Sequence, residues 1–270
     1  MDRLQKLQNG GKHMILTEFD TERRAVINPP DILSPIENFP ETVISIFDRT
    51  LFERITALLE GREIASYHDV DNDWPVYEVF YRGRRFALAK ARLGAPACVG
   101  SFEAILAFGA KRIILLGSCG VLDKKVADCG IIIPTMAIRD EGTSYHYAPA
   151  SDVIPVNHRH RSLFKAMLGE LGYSFTEGQT WTTDAFYRET PEKVKRRRDM
   201  GAICVEMECA AMQALCDFRG VDFFQFLYAG DNLDSPAWDP RSLSARARLS
   251  TKEKLAMLAV ELAWRIEQDQ

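Results

Sequence analysis

The sequence predicts an α/β fold: a single three-layer domain in which a mixed central β-sheet is flanked by helices. Short apolar strands alternate with helical patterns along the whole chain, as they do in such sheets. The chain has 270 residues, 46% of them hydrophobic, so one large domain can bury a sizeable core. Residues 1–12 are predicted to be a flexible tail that precedes a domain over residues 13–270.

Strands are predicted where short apolar runs lie between turn residues: 43–47, 76–81, 86–91, 112–116, 131–138, 179–183, 202–205 and 223–229. The strand at 112–116 is wholly apolar, which predicts a central position, and a glycine-rich turn, residues 117–120, follows it. Helices are predicted where apolar residues recur every three or four positions: 50–59, 98–108, 160–171, 207–218 and from 250 onward. Ser250 and Glu253 match a capping box. The segment from Asn28 to Pro35 is predicted to be an extended loop because proline lacks a backbone donor.

Composition excludes several classes of function. A net charge of -4 argues against a nucleic-acid partner, and the basic run from Lys193 to Arg198 is interpreted as a solvated helix face. No apolar run reaches transmembrane length, and the polar N-terminus contains no apolar signal region. The six cysteines form no C-x-x-C pair, and neither they nor the histidines have metal-ligand spacing. These features predict a soluble, cytoplasmic protein without a membrane, metal or organic cofactor.

Unusual residues follow four of the predicted strands. Glu206, Met207 and Glu208 stand where a strand gives way to a helix, and a solvated helix start is the alternative interpretation of this acidic pair. Gly117 and Ser118, Phe186, and Asp231 follow three other strands. Ligands of open α/β sheets bind beyond the carboxyl ends of strands, so the sequence predicts one site there.

This set of residues suits cleavage of an N-glycosidic bond, which passes through an oxocarbenium-like sugar. Glu208 offers an acceptor for sugar hydroxyls, and Phe186 offers a stacking face for a base. The leaving base needs a proton, which a buried carboxylic acid with a raised pKa can donate.

From about His13 to the C-terminal helix, the chain resembles nucleoside phosphorylases of the hexameric purine nucleoside and uridine phosphorylase type, a family that includes nucleosidases. The resemblance rests on the segments His13–Thr17, Gly117–Gly120, Arg139–Pro149, Thr183–Tyr187 and Val205–Glu208, in this order. It implies a nucleoside and inorganic phosphate as substrates, no cofactor, and a homodimer or a homohexamer built as a trimer of dimers.

The resemblance also implies a role for each matching residue. Ser118, with Gly117, would contact phosphate; Glu208, with Met207 packed on the sugar and Glu206 in support, would hold the ribose; Phe186 would stack on the base; Asp231 would protonate a purine; and His13 would reach the 5′-hydroxyl across a subunit interface. Asp231 favours purine, as do Thr190 and Glu192, which replace the residues that read uracil in uridine-specific relatives. The long match from Arg139 to Pro149 resembles the uridine branch instead.

The phosphate side departs from the family pattern. Leu51 and Leu115 occupy positions where relatives have phosphate-binding arginines, and guanidinium groups make strong charge-assisted contacts to anions. We hypothesise that Arg92, together with Arg49, supplies the missing charge; a surface arginine after a strand is the alternative for Arg92. A hydrolytic nucleosidase and a non-catalytic nucleoside-binding relative therefore remain alternatives to a phosphorylase.

Overall fold

A computed structural model of the protein describes residues 14–70, 72–235, 237–244 and 246–268. The strands are β1 Thr42–Ile46, β2 Arg62–His68, β3 Asp73–Tyr81, β4 Arg84–Lys90, β5 Arg112–Val121, β6 Ile131–Asp140, β7 Val153–Pro155, β8 Phe175–Thr183, β9 Ala202–Glu206 and β10 Asp222–Asn232. The α-helices are α1 Pro29–Ile32, α2 Arg49–Leu58, α3 Ala95–Phe108, α4 Arg161–Glu170, α5 Pro191–Asp199, α6 Cys209–Arg219 and α7 Leu249–Gln268. Short 3₁₀ turns cover Ile15–Thr17, Thr143–His146 and Phe186–Arg188. The predicted tail, residues 1–12, lies outside the described residues.

All these strands belong to one mixed sheet with β5 at its centre. β5 pairs in parallel with β1 and β10 and in antiparallel fashion with the end of β9. On one side the sheet continues from β1 to β4, β3 and β2. On the other side β10, β6, β8 and β9 pair in turn and return to β5, so this half of the sheet closes into a ring. The predicted mixed central sheet is confirmed.

Helices cover both faces of the sheet and complete the three layers. α2, α4 and α7 bury Leu51, Phe164 and Leu262 in one core cluster. α3 and α6 bury Phe102 and Leu215 in a second cluster on the opposite face. The apolar stripe predicted for the C-terminal helix lies in the first cluster, because a helix that packs on a sheet buries one face.

Three local predictions were wrong, and two strands, β2 and β7, were not predicted. Residues 117–120 form no turn, since β5 continues through them to Val121. Close packing favours glycine at two of these positions: a Cβ on Gly117 would lie 3.1 Å from the Phe47 ring, and one on Gly120 would lie 2.4 Å from Leu233 Cδ1.

The other two wrong predictions concern the helices α1 and α7. The proline-rich segment contains α1, whose first turn tolerates proline because the first backbone donors of a helix have no partner within it. α7 begins at Leu249, so Ser250 lies inside the helix, and Glu253 pairs with Arg54 instead of completing a capping box.

Candidate active site

Strand register brings the predicted site residues to one end of the sheet. In β5, Ser118 lies opposite Tyr228 of β10, and Gly120 lies opposite Asp231. Gly120 also pairs with Val205 of β9, the residue that precedes Glu206. The carboxyl ends of β5 and β10 therefore lie side by side as parallel neighbours, and the end of β9 meets the end of β5 from the opposite direction.

Glu206 is buried beneath this edge, and its carboxylate accepts four hydrogen bonds. The hydroxyls of Thr180 and Thr182 donate to Oε1 at 3.3 Å and 2.6 Å, and the backbone N–H groups of Glu208 and Cys209 donate to Oε2 at 2.7 Å and 2.6 Å. Burial raises the pKa of Glu206, while these donors oppose the rise. Glu206 fixes the junction between β9 and α6 and so holds its neighbours in place.

Glu208 is equally buried but much less satisfied. Its Oε1 accepts the backbone N–H of Gly94, the residue before α3, at 2.6 Å. Burial, with the negative charge of Glu206 as the second cause, raises the pKa of Glu208 to about 8. Neither Glu206 nor Glu208 forms an ion pair with the described residues. At 5% and 4% exposure, the two carboxyls contradict the solvated helix start, since a solvated side chain would be exposed.

Met207 lies between these two acids in sequence, and Phe186 follows the end of β8. Met207 is half-buried between β9 and α6. Phe186 is 46% exposed, and its ring centroid lies 4.1 Å from that of Tyr187. An exposed aromatic face of this kind offers a stacking surface for a planar ligand.

Asp231 lies on the far side of Gly120. Its Oδ2 accepts the indole N–H of Trp238 at 2.8 Å, and a Cβ on Gly120 would lie 3.1 Å from its Oδ1. Burial raises the pKa of Asp231, and the Trp238 hydrogen bond opposes the rise. Glu189, which sequence reasoning missed, is also near: burial and then the charge of Asp231 raise its pKa to about 7.

A cavity of about 280 Å³ adjoins Gly117 and Ser118, the predicted phosphate contacts. Asp48, Arg49 and Leu51 line it together with Tyr228. Asp48 caps α2, because its Oδ1 accepts the N–H of Leu51 at 3.0 Å. Leu51 and Leu115 are fully buried core residues, which explains their apolar character. A larger groove of about 1040 Å³ between α2 and α7 contains none of the predicted site residues.

The predicted cationic residues have carboxylate partners. Arg49 pairs with Glu53 at 2.8 Å, and Arg92 pairs with Asp69 while its guanidinium lies 4.8 Å from the Trp74 ring centroid. Arg49 lines the cavity beside Ser118, whereas Arg92 does not.

Lys90, at the end of β4, lies near both arginines. Burial, then the charges of Arg49 and Arg92, lower the pKa of Lys90, and the charge of Asp48 opposes this shift. Lys90 was not among the predicted site residues.

The remaining predictions concern His13, metal and membrane binding, and the cysteines. His13 lies outside the described residues. Within the described parts of the chain, no group of three or more His, Cys, Asp or Glu side chains could hold a metal ion, and no helix is long and apolar enough to cross a membrane. All six cysteines are buried and free.

Known proteins resemble this chain in sequence and in fold. The sequence model of the Phosphorylase superfamily matches residues 46–265. DeoD-type purine nucleoside phosphorylases from Bacillus cytotoxicus and Bacillus cereus are 28% and 27% identical over 187 residues, which cover 68% of this chain and 77% of each relative.

Two solved structures have a similar fold. Purine nucleoside phosphorylase from Toxoplasma gondii, in complex with immucillin-H, has a TM-score of 0.71 at 21% identity, over 85% of this chain and 94% of that one. AMP nucleosidase from Bacteroides thetaiotaomicron has a TM-score of 0.68 at 18% identity, over 86% of this chain and 90% of that one.

Proposed function

The chain belongs to the phosphorylase superfamily, and we propose that it is a nucleoside phosphorylase that favours purine nucleosides. Phosphate would attack C1′ of the sugar, and the products would be the free base and pentose 1-phosphate. The observation that carries this proposal is the buried Glu208: Gly94 donates its backbone N–H to the carboxyl, and Glu206 accepts the backbone N–H of Glu208.

Glu208 would bind the sugar through the ribose 2′- and 3′-hydroxyls, which donate to its ionised carboxylate. Charge-assisted hydrogen bonds of this kind are stronger than neutral ones. Glu206 would keep the Glu208 backbone in place, and Met207 would pack on the sugar ring. These two roles fit the geometry. Glu206 already accepts four hydrogen bonds, whereas the Glu208 carboxylate can accept further hydrogen bonds from sugar hydroxyls.

The base would stack on Phe186 and meet Asp231, the predicted acid for a purine leaving group. Thr190 caps α5 by accepting the N–H of Lys193 at 3.4 Å, and Glu192 is exposed in the first turn of that helix. Neither residue presents the glutamine and arginine readout expected for uracil, which supports a purine.

Phosphate would occupy the cavity beside Ser118, close to Arg49 and Lys90. Arg49 lines this cavity, and its charge acts on Lys90, so two cations lie close enough to favour a bound anion. Lys90 would then replace part of the charge lost with Leu51 and Leu115, and Arg92 remains a predicted contributor.

Hydrolysis is the second candidate, and Asp48 is the observation that favours it. Its carboxyl lines the same cavity as Ser118, where it could accept a proton from an attacking water.

One assay separates these functions. Inosine, adenosine and uridine are each incubated with the protein, with and without phosphate, and base, free pentose and pentose 1-phosphate are measured. We expect inosine or adenosine to yield pentose 1-phosphate only when phosphate is present. Free pentose without phosphate would establish hydrolysis, and no product from any nucleoside would leave a non-catalytic binding protein.

Variants test the phosphate side in the same assay. We expect Lys90→Met and Arg49→Ala to raise the apparent KM for phosphate, while Lys195→Ala, on an exposed face of α5, serves as the matched control. Arg92→Ala with an unchanged apparent phosphate affinity would remove Arg92 from the site.

We also propose that the protein is a homodimer or homohexamer in which His13 contacts the 5′-hydroxyl in a neighbouring subunit. Met14 and Ile15, which follow His13, are 62% and 88% exposed, and apolar side chains at such a position suit a subunit interface. Light scattering gives the mass, and a monomer with full activity would refute the proposal.

A further inference from the structure

Lys252 is a fully buried lysine near the start of α7. A cation in this place is unfavourable for two reasons: burial removes its hydration, and the helix dipole disfavours positive charge at a helix N-terminus. The ammonium donates to the Ser244 carbonyl at 2.8 Å, and its other two N–H groups form no hydrogen bond within the described parts of the chain. One carbonyl acceptor does not account for a buried charge.

The partner of this ammonium is Asp48, whose other carboxylate oxygen caps α2. Lys252 Nζ lies 3.9 Å from Asp48 Oδ2 and 5.5 Å from the centroid of the Tyr228 ring. Burial lowers the pKa of Lys252, and the charge of Asp48 is the strongest cause that opposes this shift. Asp128 also acts on Lys252, but it is already paired with Arg248 at 3.3 Å.

Asp48 and Tyr228 line the cavity proposed for phosphate, whereas Lys252 does not. The charged side chains that line this cavity are Asp48 and Arg49, whose charges cancel, and Arg49 is also paired with Glu53 at 2.8 Å. Asp48 would therefore repel a bound anion unless another cation offset its charge. Among the described residues, the one ion pair that Asp48 forms is with Lys252.

We infer that Lys252 is a positioning residue of the phosphate site: it pairs with Asp48, offsets the negative charge of that carboxylate, and so allows the cavity to bind an anion. The inference rests on the proposed function and deepens it, because it assigns a buried cation to a site that lacks two family arginines. Lys252 acts through Asp48 and does not itself contact phosphate.

The test measures binding of inorganic phosphate by calorimetry and the apparent KM for phosphate with inosine. Lys252→Met removes the charge and keeps a side chain of similar length, a change that buried ion pairs often tolerate. We expect it to weaken phosphate binding and raise this KM by about tenfold, with less than about a twofold change in kcat at saturating phosphate. Lys254→Met, the same change at an exposed position of α7, is the matched control and should alter neither quantity.

Asp48→Asn gives a readout that a merely structural role of Lys252 would not move. Asparagine keeps the oxygen that caps α2 and removes the negative charge. In the Lys252→Met background it should restore phosphate affinity to within about threefold of wild type, because no unpaired carboxylate then faces the anion. Asp48→Asn alone should bind phosphate at least about threefold more tightly than wild type, since Lys252 then acts on the anion unopposed.

The inference is overturned if Lys252→Met leaves phosphate affinity unchanged, or if Asp48→Asn fails to reverse the loss. Should Lys252→Met not fold, Asp48→Asn alone decides, and unchanged or weaker phosphate binding by that variant refutes the inference. Wild-type protein that binds phosphate without phosphate-dependent cleavage would refute the proposed function, while the binding comparison still decides the role of Lys252. Wild-type protein that binds no phosphate would refute both.

Discussion

Replacing Glu208 by glutamine should make the protein more stable while it removes nucleoside binding. Glutamine has nearly the same shape, and its carbonyl oxygen can still accept the Gly94 N–H that Oε1 accepts at 2.6 Å. The substitution therefore removes the titration of a buried acid and keeps its packing. A side chain retained only for stability would behave in the opposite way.

The magnitude follows from linkage between protonation and folding. The folded-state pKa of Glu208 is about 8 against 4.5 for an ordinary glutamate, and each pKa unit corresponds to about 1.4 kcal/mol. Between these two values the unfolded chain has lost a proton that the folded protein keeps, so rising pH lowers the free energy of unfolding. The full cost above pH 8 is about 5 kcal/mol as an upper bound, because relaxation and the neighbouring Glu206 share it.

Urea unfolding at pH 5.5, 7 and 8.5 measures this effect in wild type and Glu208→Gln. We expect the variant to gain stability relative to wild type, with a difference that grows with pH to about 2 kcal/mol or more. Glu192→Gln provides the exposed control and should show no such trend. A difference that stays constant with pH, or a variant that is less stable at pH 8.5, would refute the reasoning.

Three further predictions concern the same site and its support. Nucleoside binding at pH 7 should release about one proton, because the sugar hydroxyls donate to the ionised form of Glu208. Calorimetry in buffers of different ionisation enthalpy measures the number of protons released, and no release would contradict the role assigned to Glu208. Phe164→Ala should cost about 3–5 kcal/mol in urea unfolding, because its fully buried ring lies 4.6 Å from that of Phe226 and its removal leaves a cavity. Gly120→Ala should lower kcat, since the new Cβ would lie 2.4 Å from Leu233 Cδ1 and 3.1 Å from Asp231 Oδ1 and so disturbs the position of Asp231. Gly100→Ala, whose Cβ would meet nothing within 4 Å, is its control, and equal effects of the two would exclude this mechanism.

The sequence predicts the acidic part of the candidate site, because two acids at the end of an apolar strand are unusual in a buried segment. The structure accounts for them in different ways: Glu206 is satisfied by local donors, two from the following backbone and two from Thr180 and Thr182 of the adjacent strand. Glu208 depends on Gly94, which is 114 residues away in sequence. A pattern of neighbouring residues contains the two backbone donors to Glu206, but neither the threonine donors nor the contact from Gly94.

The errors have the same origin. Glycines at positions 117 and 120 favour a turn when only the chain direction is considered, yet here they admit Phe47 and Leu233 from other segments into a continuous strand. Glu189 gives no sequence signal, because a glutamate before a helix is ordinary. The raised pKa of its carboxyl, caused by burial and then by the charge of Asp231, is a tertiary effect that the residues around it in sequence cannot indicate.

The long segment from Arg139 to Pro149 is held in place largely by contacts within itself. Arg139 is buried, and its guanidinium donates to Ser144 Oγ at 2.8 Å and to the Pro149 and Ala148 carbonyls at 2.6 Å and 3.2 Å. The segment is therefore closed upon itself, and packing of its 3₁₀ turn against α6 supports the helix that follows Glu208. These contacts give the segment a structural role of its own: a buried guanidinium without such acceptors would be costly, so the match in sequence is explained by the fold.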